Sequence, residues 1–205
     1  MRYHYVDDDV VVIEKPSGLL SVPGKATDHG DCVEARVRLE HPTATIVHRL
    51  DLDTSGLMVM ALNAAAHREL SKQFETRAVK KRYAAKVWGR PLSSSGTNLL
   101  PLRCNWPNRP RQMVDFALGK SAETRWAVLA SDGQTSLVTL HPRTGRSHQL
   151  RVHMASIGHP VLGDRFYAHE EALALSERLL LHAAAISFVH PTMGKVMGFE
   201  SCAAF

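Results

Sequence analysis

The feature that most constrains this chain is a polar segment pinned between two short apolar runs. Thr45-Ile46-Val47 and Leu57-Met58-Val59-Met60-Ala61-Leu62 flank His48-Arg49-Leu50-Asp51-Leu52-Asp53-Thr54-Ser55-Gly56. Apolar runs of that length read as strands. The residues between them therefore belong to a loop at the end of a sheet, where a rigid scaffold presents functional groups to solvent.

Other segments follow the same logic. Val10 to Ile13 is β-branched and runs into Lys15-Pro16-Ser17-Gly18, which predicts a buried strand and then a loop to about Gly30. Asp31 is the expected N-cap of a short helix carrying Val33 and Val37 beside Arg36 and Arg38, stopped by His41-Pro42. Asn63 caps a helix from Ala64 to about Thr76, with Ala66, Leu70 and Phe74 on one face. Lys80 to Trp88 alternates as a strand. Gly89 to Asn98, rich in Ser and Gly, reads as a linker that does not divide the chain. Glu123 to Leu129 and Thr135 to Leu140 form a hairpin about Asp132-Gly133. Ser147 is expected to cap a helix bearing Leu150, Met154 and Ile157, ended by Gly158 and Pro160. Glu170 to Leu181 is helical in composition, and Ala185 to Val189 and Val196 to Glu200 are short strands about Pro191-Thr192-Met193-Gly194. The expected class is α+β, a central, largely antiparallel sheet with peripheral helices, in one domain spanning residues 1–205.

Composition narrows the function classes. Hydrophobic residues make up 44% and charged ones 22%, which excludes a disordered chain. Lys and Arg total 25 against 20 for Asp and Glu, and the net charge of +5 favours a polyanionic partner. Cys32, Cys104 and Cys202 are far apart and odd in number, so neither a disulfide framework nor a Cys-based zinc site is expected, and a reducing cytoplasm fits. Met1 to Asp9 is aromatic and then acidic, the wrong polarity for a presequence. Leu179 to Gly194 is uncharged but contains His182, His190 and Pro191 and falls short of the roughly 20 apolar residues of a membrane span.

Several chemistries are tested and set aside. His148 and His153 fall on different helix faces, so they do not make a metal pair, and single core or surface histidines are the better account. Gly18 to Lys25 resembles a phosphate loop, but the Gly18 to Gly24 spacing is one too long and Ala26 stands where a magnesium-binding hydroxyl belongs. Ser55 lacks a nucleophile elbow, and Ser147 looks like a cap. The segments His48 to Asp51 and Arg143 to His153 each end an apolar strand and remain. A guanidinium in contact with Asp51 would hold it ionised below the ordinary value of ~3.9, as a nucleophile or base. An ion pair or turn cap accounts for Asp51 equally, Asp53 could serve as well, and Lys80-Lys81-Arg82 alone reads as a solvated charge run.

His48-Arg49-Leu50-Asp51-Leu52-Asp53-Thr54-Ser55-Gly56-Leu57 resembles the catalytic motif H/G-R-L-D-x-x-T-S-G-L of the RluA family of RNA pseudouridine synthases. The resemblance runs on through Lys15-Pro16-Ser17-Gly18, Lys81-Arg82-Tyr83, Arg143 to His153, Gly163-Asp164 and Leu180-Leu181-His182-Ala183. Leu19 to Gly24, Cys104 to Pro110 and Leu162 to Tyr167 are similar to a compact member with dual specificity for tRNA and large-subunit rRNA, and accordingly no separate N-terminal RNA-binding module is expected.

The resemblance implies a pseudouridine synthase fold, a mixed sheet crossed by an active-site cleft. It implies that Asp51 attacks a target uridine or its ribose, so that the base detaches, rotates and rejoins through C5. In the same mapping Tyr83 packs on the uracil ring and is a candidate for removing the C5 proton, Arg146 pairs with Asp51, Arg49 inserts as the base leaves the stack, and Leu181 lines the pocket. His48, Lys81, Arg82, Arg143 and Arg151 join Arg49 and Leu181 as expected substrate-binding residues, with Lys80, Lys86, Arg109 and Arg111 adding RNA affinity. No cofactor or metal is implied. The expected substrates are the uridine opening the tRNA anticodon loop and a similar hairpin loop of 23S rRNA, with the enzyme a monomer. A synthase for another rRNA or tRNA site, or an RNA-binding protein without catalysis, are the alternatives.

These roles are physically coherent. Uracil N1 leaves poorly unless the base is gripped in a dry, shaped pocket, which Tyr83 and Leu181 suit. Extruding a base costs a few kcal/mol, and a side chain that fills the vacated space offsets part of that. An unstacked loop also exposes base edges and faces that an A-form stem hides.

Overall fold

The computed structural model describes residues 1–24 and 30–205. Lys25 and Ala26, on which the rejected phosphate loop turned, lie outside the described residues. In chain order the elements are β1 (Arg2–Val6), β2 (Val10–Lys15), α1 (Val33–Arg38), β3 (Thr45–Ile46), β4 (Ser55–Ala61), α2 (Ala64–Glu75), β5 (Lys80–Trp88) and β6 (Ser95–Asn98). They continue with β7 (Leu102–Cys104), a 3-10 turn at Trp106–Asn108, β8 (Gln112–Val114), β9 (Thr124–Ser131), β10 (Thr135–Pro142), α3 (Gln149–Ser156), α4 (Glu170–Ala174), β11 (Leu181–Val189) and β12 (Val196–Glu200). The class is the expected mixture of helices and largely antiparallel strands. No helix among the described residues is long and apolar enough to cross a membrane.

Contacts divide the chain into two compact units, Met1–Lys81 with His182–Ala204, and Arg82–Leu181 with Phe205. In the first unit β1, β2 and β4 pair antiparallel in that order, β3 adds to β4, and β11 pairs parallel to β4 and antiparallel to β12. Both faces of β2 and β4 are buried, which is why they read as continuous apolar runs. On one face Val10, Val12, Leu57, Val59 and Ala61 pack with Ala66 and Leu70 of α2 and with Ile186 and Phe188 of β11. The Asn63 side chain caps α2 as expected, accepting from Ala66 N at 2.9 Å.

In the second unit β5 pairs with β10, β10 with β9 and β9 with β6, all antiparallel, and β7–β8 is a separate hairpin. Ala85 and Val87 of β5 and Val138 and Leu140 of β10 pack against Leu150 and Met154, one turn apart on α3.

Four expectations need correction. Cys32, not Asp31, is the N-cap of α1: its Sγ accepts from Ala35 N, while Asp31 is taken by Arg36 through two hydrogen bonds of 2.7 Å. The cap residue of α3 is His148, in left-handed backbone, not Ser147. Helix α4 stops at Ala174, because Leu179, Leu180 and Leu181 are all buried and Leu180 bonds the backbones of Leu162 and Lys86, which needs extended chain. The supposed linker contains β6, whose Gly96 lies under the Trp126 ring: a Cβ there would meet that ring at 2.6 Å. Smallness at Gly96 is thus a packing requirement.

Gly56 is under a tighter constraint. Its φ is +113°, and an added Cβ would stand 2.4 Å from the Ala183 carbonyl oxygen of β11. Gly56→Ala should therefore separate β4 from β11 and destabilise the fold by at least about 3 kcal/mol, combining a strained φ with a backbone clash. Urea unfolding of the purified variant measures it.

Candidate active site

The loop that carries Asp51 is stitched at almost every residue to the segment after β2. The Ser21 hydroxyl donates to Leu50 O at 2.7 Å and accepts from Leu50 N at 3.1 Å. Gly18 N donates to Leu52 O at 3.0 Å, and the Ser17 hydroxyl donates to Asp53 O at 2.7 Å. Thr54 N closes the turn on Asp51 O at 3.1 Å. Leu50 is buried, whereas Asp51 and Asp53 are half-buried and Arg49 is exposed.

Lys15 is the residue that sequence reasoning missed. Its side chain is fully buried, and its ammonium donates to Pro16 O (3.0 Å), Leu19 O (2.7 Å) and Leu52 O (2.8 Å). Burial pushes its pKa down to about 8, against the opposing pull of the Asp53 and Asp51 carboxylates. A positive charge thus lies within electrostatic reach of both acids in their own unit. The signal was a lysine closing a strand that opens on four apolar residues, which the Pro-Ser-Gly after it disguised as punctuation.

His48 corrects an expectation. Where β3 stops, its Nε2 accepts from Val59 N at 3.1 Å, and its ring stacks on Phe74 of α2 at 4.6 Å. Burial, with Lys81 adding to it, pushes its pKa down to about 3. A neutral ring with its lone pair engaged is a fastener for the loop and not a phosphate ligand. Lys81 is half-buried and its own pKa is lowered by desolvation.

Ser55 is buried, with Oγ 2.9 Å from His182 Nδ1, and His182 Nε2 lies 3.0 Å from Ser201 Oγ. The hydroxyl is engaged in a structural chain along the β4–β11 register, where His182 stands opposite Ser55.

In the second unit Tyr83, half-buried on β5 opposite Leu140, packs on the cluster that contains Leu181. An aromatic face and an apolar wall thus come together. Arg82 is half-buried, and its charge helps to lower the pKa of His141 after burial has done most of it. Arg143 and Arg146 are exposed on the loop after β10. Arg143 N donates to Glu123 O at 3.0 Å, and Arg146 Nε donates to Ser121 O at 3.2 Å.

That loop is organised by a second missed residue, Gln149. Its Oε1 accepts from Thr144 Oγ1 (2.7 Å) and Arg146 N (3.0 Å), and its Nε2 donates to Glu123 O and Thr124 Oγ1 (both 3.0 Å). His153 continues the network as a buried core ring between Thr124 Oγ1 and Leu100 O, each at 2.9 Å, with its pKa lowered by burial. Among the described residues no three His, Cys, Asp or Glu side chains gather as a metal-ligand set.

Arg151 is the other correction. Only 2% of its side chain is exposed, and it forms a paired contact with the wholly buried Asp164, Nε to Oδ2 at 2.7 Å and Nη2 to Oδ1 at 2.6 Å. A guanidinium committed to a buried carboxylate does not border an RNA groove. Its partner lies too far along the chain for the basic segment to have revealed it.

Residues 9–156 match the RNA pseudouridylate synthase family. The chain is similar to the dual-specificity RNA pseudouridine synthase RluA of Escherichia coli (strain K12), at 53% identity over 203 residues that cover 98% of this chain and 92% of that protein. It is 52% identical over 202 residues to the protein of the same name from Yersinia pestis, covering 98% of each. Among solved structures, Human RNA Pseudouridylate Synthase Domain Containing 1 superposes with a TM-score of 0.81 at 28% identity, over 98% of this chain and 82% of that one.

Two substitutions test the supports of these loops. Lys15→Met leaves the Pro16, Leu19 and Leu52 carbonyls without their donor and should cost roughly 3 kcal/mol or more. Because the folded pKa of Lys15, about 8, lies below its ordinary value of 10.5, the unfolded chain holds the extra proton between them. The stability advantage of wild type over Lys15→Met should therefore grow as pH rises through that window and shrink as pH falls through about 8, as read by urea unfolding at each pH. Gln149→Leu strands several buried polar groups and should cost about 2–4 kcal/mol in the same measurement, and Gln149→Glu, which sets a buried carboxylate oxygen against the Glu123 carbonyl in place of the amide donor, should cost at least as much.

Proposed function

The chain belongs to the RNA pseudouridylate synthase family and isomerises uridine to pseudouridine in RNA, and on that premise we propose that Asp51 is the carboxylate that starts the reaction. The observation that carries this assignment is the stitched loop itself. Leu50, Leu52 and Asp53 are all held through their backbones, so the Asp51 side chain stands on a fixed base within reach of the Lys15 charge. Pre-organisation of that kind is what a nucleophile needs, since reorganisation at the moment of reaction would raise the barrier.

The reaction is an isomerisation and balances within the nucleotide. The N1–C1′ bond breaks, the base turns, a C5–C1′ bond forms, the C5 proton is lost and N1 gains one. Tyr83 supplies the face on which the detached uracil rests and is the candidate acceptor of the C5 proton, and Leu181 in the same apolar cluster keeps water from it. Arg49, exposed beside the buried Leu50, takes the place of the extruded base. Arg146, held on its braced loop, keeps the role of pairing with the acid that the family resemblance implies.

For the substrate we infer a uridine in an unpaired hairpin loop, in both tRNA and 23S rRNA. The support is the dual specificity in the name of relatives that are 50–53% identical over nearly the whole chain. Pseudouridine mapping of total RNA from cells with and without the protein should show one anticodon-loop site and one 23S site lost together. Loss at a single RNA class, or at a different site, would replace this reading with that of a synthase for another target.

Release of tritium from RNA labelled at uridine C5 tests the chemistry. Asp51→Asn should lower the rate roughly a thousand-fold or more, with RNA affinity nearly intact, while Asp53→Asn stays active. The reverse pattern would move the nucleophile to Asp53.

A further inference from the structure

The tip of the β7–β8 hairpin displays a feature that neither the core nor the proposed chemistry uses. Trp106 is 64% exposed, a large apolar surface to leave in water, and the Arg109 guanidinium lies over its ring at 4.5 Å. The tip is nonetheless ordered by its own hydrogen bonds: Asn105 N to Arg111 O at 2.9 Å, Asn108 N to Asn105 O and Arg111 N to Asn108 O, both at 3.0 Å. Residues 104–114 contain no carboxylate, and Arg109 and Arg111 are both exposed.

The base of the hairpin is tied to the Arg146 loop. The Tyr167 hydroxyl accepts from Gln112 N at 2.7 Å and lies 2.7 Å from His148 Nδ1. His148 adopts φ 51°, a left-handed conformation that is unfavourable for a side-chain-bearing residue, and its ring is held by stacking on Phe166 at 5.7 Å. The neighbouring Arg146 and the indole of Trp106 are thereby carried by one hydrogen-bonded frame.

We propose that Trp106, backed by Arg109, is a stacking platform for an unpaired nucleotide of the RNA substrate other than the target uridine, and that it helps to determine which loops are modified. An indole accepts the flat face of any base, a guanidinium stacks on its other side, and the flanking arginines answer the phosphates. The lack of any acid on the tip selects a polyanion over a basic or neutral peptide. Because the tip is braced against the Arg146 loop, a base held there would fix the distance between itself and the uridine that reacts. This rests on the reading that the substrate is a single-stranded RNA loop.

The test combines kinetics and emission on the full chain. With unmodified tRNA transcripts labelled at uridine C5, Trp106→Ala should raise KM about tenfold and change kcat less than twofold, and Trp106→Phe should restore most of the affinity. The Trp106→Ala effect should persist from 0.1 to 0.4 M salt, because stacking releases no counterions, while that of Arg111→Gln shrinks. Octauridylate should quench wild-type tryptophan emission, and that quench should vanish in Trp106→Phe, which keeps an aromatic ring at the tip. An unchanged KM in Trp106→Ala, a loss confined to kcat, or a quench that survives in Trp106→Phe would overturn the proposal. Absence of tritium release by the wild type would sink the substrate reading alone, since the quench needs no turnover.

Discussion

The Lys15 ammonium, sunk at the end of β2 and shared among the carbonyls of Pro16, Leu19 and Leu52, is the interaction on which the Asp51 loop depends. A loop between two strands normally satisfies its backbone with water and moves accordingly. Here Leu50 and Ser21 are buried, so water is excluded and the polar groups must be met from within the protein. One ammonium can satisfy three carbonyls at once, which no neutral side chain can do. The cost is a desolvated charge, and the Asp53 and Asp51 carboxylates return part of it. The bonds that fix the loop and the positive charge within electrostatic reach of its two acids therefore come from the same atom.

The second unit solves the same problem with a neutral group. Its loop after β10 already carries Arg143 and Arg146, and a buried cation there would repel both. Gln149 instead offers two donors and an acceptor oxygen, and it finds partners in Thr144, Arg146, Glu123 and Thr124. The contrast explains why one polar loop is anchored by a lysine and the other by an amide. The lysine is opposite in charge to the acids that its loop presents, and the amide adds no charge beside the arginines of the other.

The strands were legible because they depend on local pattern. The runs at 45–47, 57–62 and 80–88, the Asp132-Gly133 hairpin and the Asn63 cap needed only their own neighbours to be read, and the Asp51 motif was continuous in sequence. What escaped was decided at a distance. Gly96 is small because of Trp126, Lys15 is buried because of Leu52, and Arg151 is neutralised by Asp164. His48 misled for a related reason: its position in the motif implied a substrate contact, whereas Val59 and Phe74 claim the ring. The hairpin β7–β8 is too short for its period to register, and its order comes from hydrogen bonds across the tip.

The sealed pairing of Arg151 with Asp164 bears on how such a chain can change over generations. Losing either member alone strands the other as an uncompensated ion, whereas exchanging both for well-fitted hydrocarbon is often harmless. A lineage is thus barred from each single step on a path whose end point is acceptable. The two codons are inherited, in effect, as one character, held in place by the valley between two viable states.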